Sequence, residues 1–274
     1  MNPLEDIIET FSPSRLQTLA TCHYRFFRRY ILGEPGRVTS SMAVGSAFDE
    51  TANICYADAK EQGSPFTNGD KAAEVFAWQW DQEKEEVEEW LSKPGEILDQ
   101  GVKLARHWTW QVASQYLPVY VQADWTLKFP GVDWKVRGIL DLVAQPVHSR
   151  RLILADTKCT GRRWRASKVW YSLQPPAYSL GSEAVLEKPI EEFQFHIGVR
   201  KKMPEVQIEV VPVGQKERAA YVKKVAYARS LVADLYKTGV WLPTARDSGH
   251  FMCSRKYCPY WQECEKEWGG KVVE

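Results

Sequence analysis

Two apolar segments, residues 135–144 and 151–159, flank the turn-prone stretch Gln145-Pro146-Val147-His148-Ser149-Arg150 and carry charges that an apolar sheet tolerates poorly. Their Val, Ile and Leu content predicts a β-hairpin. With the turn centred near His148, Asp141 falls opposite Asp156. Side chains alternate along a strand, so Asp156 and Lys158 share one face, Thr157 points to the other, and Asp141 joins Asp156. Opposed Cβ atoms lie roughly 4.5–5.5 Å apart. Two carboxylates at that spacing, with the Thr157 carbonyl, can grip one hard divalent cation beside Lys158. A solvated salt-bridge cluster is the alternative, and the commoner fate of such residues. Ile139, Leu140, Leu142, Val143, Leu152, Ile153, Leu154 and Ala155 weigh against it, because they predict a covered sheet where an unpartnered charge is costly.

The 274 residues suffice for one large domain, or for one domain with an appended lobe. No apolar run is long enough to span a membrane, and residues 1–10 are mixed and acidic, so an intracellular (cytoplasmic) protein is expected. A formal charge of +1 excludes a general attraction to polyanions and leaves any nucleic-acid binding to local basic patches. Arg25, Arg28 and Arg29 form one patch, Arg162, Arg163, Arg165 and Lys168 a second, and Arg200, Lys201 and Lys202 a third. Each can be simply a solvated face. The second follows the Asp-Thr-Lys triplet closely and interleaves with Trp164 and Trp170, which could stack on bases, although packing accounts for most of the twelve tryptophans.

Ser12-Pro13 predicts a helix start, and the spacing of Leu16, Leu19, Tyr24, Phe27 and Ile31 carries that helix to Gly33. Further helices are expected over 42–61, 71–91 and 95–116, with the acidic run 83–89 as a solvated helix face. Alternation then predicts strands over 119–129, 135–144 and 151–159, so helices precede a meander. A short helix opens at Gln174-Pro175-Pro176, strands follow over 192–199 and 206–211, and a long helix over 215–237 stops at Gly239. Residues 241–274 carry too little regular structure to hold themselves together.

Six cysteines in an intracellular chain argue against a disulfide framework. Cys253, Cys258 and Cys264 are spaced C-x4-C-x5-C, and Cys22 lies far upstream, so a shared inorganic centre would tie the two ends of the chain. Thiolates suit zinc or an iron–sulfur cluster, and the spacing lacks the paired C-x2-C knuckles of zinc ribbons. Unrelated buried thiols are the alternative. Cys55 and Cys159 read as core residues.

Asp141, then Asp156-x-Lys158, then Gln174-x3-Tyr178, resembles the PD-(D/E)XK nuclease superfamily in its RecB-like branch. With Cys22, Cys253, Cys258 and Cys264, the chain is similar to that branch's iron–sulfur subgroup, which includes AddB-type nuclease domains and CRISPR-associated exonucleases. The resemblance spans residues 12–264. It implies one α/β nuclease domain over 1–274: a central mixed β-sheet flanked by helices, a restriction-endonuclease-like core over 119–212, a helical lobe over 34–118, and a cluster region joining residue 22 to 241–274. It further implies that Asp141, Asp156 and the Thr157 carbonyl bind Mg²⁺ or Mn²⁺, that Lys158 serves the attacking water and the phosphate, and that Gln174 and Tyr178 support the site and touch the DNA backbone. The four cysteines would hold a [4Fe-4S] cluster, with zinc the alternative. The family's Gly-x-x-x-His stands here as Gly45-Ser46-Ala47-Phe48-Asp49, which makes Asp49 a further candidate ligand and Glu50 its rival. The expected activity is a DNA exonuclease acting on single strands or free ends in recombination, repair or phage DNA processing, alongside a helicase, annealing or integration protein. Arg162, Arg163, Arg165 and Lys168 are the candidate nucleic-acid contacts. An endonuclease with the same core, or a binding module with a decayed site, would share these residues.

Overall fold

The predicted hairpin forms, and its register is Leu142↔Ala155, Val143↔Leu154 and Ala144↔Ile153. Extended by one step, that register would set Asp141 opposite Asp156. The structure, a computed structural model, describes residues 10–128, 134–255 and 257–272. The segment 1–9 and the last residue of the strand expected over 119–129 lie outside the described residues. In chain order the elements are β1 (Thr10–Phe11), α1 (Pro13–Thr21), α2 (His23–Phe26), a π-helical turn (Phe27–Ile31), α3 (Ser40–Gln62), α4 (Gly69–Glu83), α5 (Pro94–Gln111), β2 (Tyr116–Lys128) and β3 (Lys135–Pro146). They continue with β4 (Ile153–Thr160), α6 (Ala166–Trp170), α7 (Gln174–Leu186), β5 (Glu192–Val199), β6 (Glu205–Pro212), α8 (Gln215–Thr238), α9 (Thr244–Asp247) and α10 (Trp261–Trp268).

One mixed sheet runs β1-β3-β4-β5-β6, with β2 also paired to β3. The chain forms two compact units, one of Val38–Trp125 with Ile139–Gly214, the other of Met1–Arg37, Thr126–Gly138 and Gln215–Glu274. In the larger unit, β4 pairs antiparallel with β3 and parallel with β5, and β5 pairs antiparallel with β6. The inner strands are buried along most of their length, as expected where helices cover a sheet. On one face of β5, Tyr178 of α7 meets Phe193 edge-on at 5.3 Å. On the other, a Cβ at Gly198 would come 2.9 Å from Leu104 of α5 and 3.1 Å from Phe48 of α3. Phe48, Phe76, Leu104 and Trp108 thereby share one core with Leu142, Ala144, Ile153 and Ala155. The helices of 38–111 and the sheet are two sides of a single apolar interior. Close approach of α4 and α5 depends on Gly101, where a Cβ would lie 2.0 Å from the Phe76 ring.

Three predicted helices are shorter than expected. The helix read over 71–91 ends at Glu83 in a 3-10 turn, Lys84–Glu86, so the acidic run 83–89 is not a helix face. Stacked carboxylates at a helix C-terminus oppose its dipole, and residue 88 bonds instead to the Val38 carbonyl at 3.0 Å. The helix read over 95–116 stops at Gln111, because Tyr116 is taken into β2 and its hydroxyl donates to Gln194 at 2.7 Å. The helix read over 12–33 starts as predicted, with Ser12 Oγ accepting from the Arg15 amide at 3.2 Å, but breaks at Cys22 (φ −157°, ψ 119°). Tertiary partners replace the helical ones there: the His23 amide bonds Thr244 Oγ1 and the Tyr24 amide bonds the Leu242 carbonyl.

In the smaller unit Phe27 and Trp241 stack at 5.2 Å, and the Tyr24 hydroxyl donates to Glu267 at 2.8 Å while receiving Arg28 at 3.1 Å. Segment 241–274 therefore has regular structure and apolar anchors of its own, contrary to the expectation from its polarity. β1 joins this unit through parallel pairs Thr10↔Lys135 and Phe11↔Val136.

His196 in β5 is fully buried in the larger unit, with Nε2 donating to Gln194 Oε1 at 3.0 Å and Nδ1 without a partner. Burial pushes its pKa down to about 4. The fold keeps the ring neutral while the unfolded chain protonates it below about pH 6.5, so stability falls as pH drops from about 6.5 towards about 4. Urea unfolding of the wild type and of His196→Gln should show the wild type losing roughly 3 kcal/mol relative to the variant across that window.

Candidate active site

The candidate site residues of the hairpin, Asp141, Asp156, Thr157 and Lys158, all lie in the larger unit. β4 delivers Asp156, with no exposed surface, and its Oδ1 accepts from Lys158 Nζ at 2.6 Å. Alternation places these two side chains on the face that β5 supplies with Phe195 and Ile197, their register partners. Thr157 is buried and paired to His196. Tyr178 in α7 lies within electrostatic reach of Asp156 and Asp141. α3 brings Asp49 within electrostatic reach of Lys158 and Asp156.

The electrostatics follow from three carboxylates around one ammonium. Burial, then the Asp156 charge and a shared hydrogen bond, push Asp141 well above the carboxylate range. Asp49 is pushed up to about 6, chiefly by burial, with Lys158 opposing. Lys158 is lowered by burial, but Asp156 and Asp141 outweigh that and hold it above the ordinary ammonium range, so it is a cation at neutral pH. Asp156 Oδ2 and Asp49 Oδ1 are buried with no hydrogen-bond partner. Buried carboxylate oxygens without donors are costly, and a hard cation is the partner that suits them. Among the described residues, no set of three or more His, Cys, Asp or Glu is arranged to hold a metal ion as it stands. The donors have the chemistry a hard cation takes, but would have to draw closer to hold one.

The remaining candidates are placed less centrally. Gln174 opens α7 half-buried, its amide bonded to Ser172 Oγ at 3.3 Å, and no hydrogen bond joins its side chain to the three carboxylates among the described residues. Glu50 is exposed and bonds Asn53 at 3.3 Å, so Asp49 faces the site and Glu50 does not. Arg162, Arg163, Arg165 and Lys168 lie exposed in the segment after β4, with Arg163 3.8 Å from Glu205.

Gln122 and Asn53 join the site without having been legible in the sequence. Gln122 lies within β2 yet has φ 51°, a left-handed conformation that a non-glycine strand residue adopts only under constraint. Its Nε2 donates to Asn53 Oδ1 at 2.9 Å and reaches Asp141 Oδ1 at 3.4 Å. A lone glutamine in an alternating strand carries no signal of this; only the backbone angle reveals it.

The four remaining candidate ligands share one place in the smaller unit. Cys22, Cys253, Cys258 and Cys264 all line a cavity of ≈ 20 Å³, together with Tyr24, Arg25 and Met252. Burial pushes Cys264 up to about 12 and raises Cys253 and Cys258, with Arg246 and Arg25 opposing. Burial thus favours the protonated form of Cys253, Cys258 and Cys264, and a soft cation would be needed to hold them as thiolates. Cys55 and Cys159 instead belong with the main core.

A family model for the PD-(D/E)XK nuclease superfamily matches residues 10–265. The chain belongs to this superfamily. It is a nuclease by family, and nucleic acid is its substrate class. A solved structure of a candidate exonuclease from Eubacterium rectale is similar at 12% identity, covering 89% of this chain and 90% of that one, with a TM-score of 0.55. A second, SSO0001, is 13% identical over 97% of this chain and 93% of that one, at a TM-score of 0.41. No curated protein matches. Among the described residues, no helix is long and apolar enough to cross a membrane.

Gln122→Gly should keep or raise the melting temperature, since glycine adopts positive φ without strain, while lowering cleavage roughly tenfold through loss of the bond that orients Asp141. Melting curves and initial rates measured side by side check it; unchanged cleavage would leave Gln122 no positioning role.

Proposed function

We propose that this nuclease is a Mg²⁺- or Mn²⁺-dependent DNA exonuclease of the RecB-like iron–sulfur subgroup, acting on strand ends in recombination, repair or phage DNA processing. The observation that carries the catalytic part is the pair of orphaned buried oxygens on Asp49 and Asp156 beside a permanently charged Lys158. The likeness to a structure named as an exonuclease supports the choice of reaction.

Asp49, Asp141, Asp156 and the Thr157 carbonyl would hold the divalent ion. When bound, it supplies an activated water and charge neutralisation at the phosphate. Burial and the Asp156 charge favour the protonated form of Asp141, and a bound cation would oppose them by favouring its carboxylate. Gln122 would fix the Asp141 carboxyl by donating to it, with Tyr178 close by. Lys158, already cationic, is a poor base and a good donor: it orients water and offsets the negative charge growing on the phosphate. Arg162, Arg163, Arg165 and Lys168 would hold the DNA backbone.

The four thiols would hold a [4Fe-4S] cluster that ties Cys22 to the 253–264 segment. The ≈ 20 Å³ cavity, close to the space of one water, favours a single zinc ion as the second reading.

With Mn²⁺, linear DNA should disappear while covalently closed circles persist; rapid cutting of closed circles would overturn the exonuclease reading. Asp156→Ala should lower cleavage by at least about 10²-fold, and full activity in that variant would remove the catalytic assignment. Failure of the intact protein to cleave any DNA or RNA would favour a binding module in which Asp49 marks a decayed site. Protein purified without oxygen should be brown and contain iron, whereas a colourless sample with one zinc per chain would replace the cluster by zinc.

A further inference from the structure

The segment joining β4 to α7 is anchored from below. Gln207, buried in β6, clamps Trp164 through both ends of its amide: the Trp164 N–H donates to Oε1 at 2.8 Å, and Nε2 donates to the Trp164 carbonyl at 3.1 Å. The indole rests against Phe195 at 5.1 Å, and Phe195 is the register partner of Asp156. Lys168 sits over the indole, its Nζ 3.8 Å from the ring centroid. Burial and the charge of Lys158 lower its pKa, which places the two ammonium groups in each other's field. Just beyond Lys168, Trp170 is 59% exposed and Tyr171 82% exposed. Arg162 and Arg165 form no ion pair with a carboxylate among the described residues.

Two large rings held in water at the end of a clamped segment that also carries the unpaired Arg162 and Arg165 suit an occupant that is both anionic and flat-faced. An acidic protein segment would answer the cations but offers few flat faces to stack on the two rings. A duplex hides its base faces within the stack, whereas an unpaired strand offers both bases and phosphates. Resting on the nuclease reading above, we propose that residues 162–171 form a stacking platform for single-stranded nucleic acid. Trp170 and Tyr171 take successive unpaired bases, and Lys168 on its indole pedestal holds the phosphate that leads into the Asp156–Lys158 site. The platform makes the enzyme prefer unpaired strands or frayed ends.

Binding without divalent metal tests this independently of cleavage, using an oligothymidylate, an abasic strand of equal length and a blunt duplex, all at one salt concentration. The full-length protein should bind the oligothymidylate at least about tenfold more tightly than the abasic strand, because each stacked base contributes. The double variant Trp170→Ala with Tyr171→Ala, both exposed positions, should erase that preference and leave abasic-strand affinity within about twofold. Lys168→Gln should weaken both strands alike and flatten the salt dependence. Equal binding of the two single strands by the wild type, tighter binding of the duplex, or a preference that survives the double variant would each overturn the platform. Loss of metal-dependent cleavage with base preference intact would instead overturn the nuclease reading and leave the platform standing.

Discussion

A single ammonium, Lys158, stands against three carboxylates inside a covered sheet, and the architecture around it serves that imbalance. Asp156 has no exposed surface and only one of its oxygens is answered by lysine. In a low-dielectric interior such a group is tolerated only where it is paired, protonated or bound to a cation. All three devices are present in part: Lys158 pairs with Asp156, Asp141 is driven towards its protonated form, and the orphaned oxygens of Asp49 and Asp156 suit an ion. A fold optimised for stability alone would have filled these positions with apolar side chains. The strain at Gln122 belongs to the same bargain, since a left-handed residue in a strand aims its amide at Asp141.

The smaller unit solves a different problem. Its first and last segments meet through Tyr24, Glu267 and Arg28, through the Phe27–Trp241 stack, and around the cavity lined by four thiols. The aromatic contacts remove large apolar areas from water, so this unit has a core beyond the cysteines. An inorganic centre would add cross-linking to a region already packed, and would hold as thiolates groups that burial otherwise keeps protonated.

Sequence and structure agree best where a local rule meets a burial pattern. The 192–199 strand is found with the predicted bounds because its alternating Phe193, Phe195 and Ile197 fit only a covered sheet. The hairpin register was legible because both strands are apolar around a short polar turn, and a slip of one residue would turn every charge onto the wrong face. Helix ends were misjudged where distant partners decide them: Cys22 breaks its helix to let His23 and Tyr24 bond residues of the C-terminal segment, and Tyr116 leaves a helix to meet Gln194. Propensity cannot register such partners.

The chain by itself determined that Asp141, Asp156 and Lys158 share a sheet face, because strand periodicity and turn position depend on neighbours a few residues apart. It also contained the four cysteines, by type and order. What only tertiary structure decided is which helix faces enter the site. Asp49 rather than Glu50 turns inward, Gln122 is bent towards Asp141, and Trp164 is pinned by Gln207 to carry Lys168. Each joins residues well separated in the chain, and their meeting is fixed by how helices and strands pack around one core, a property that no short window of sequence holds.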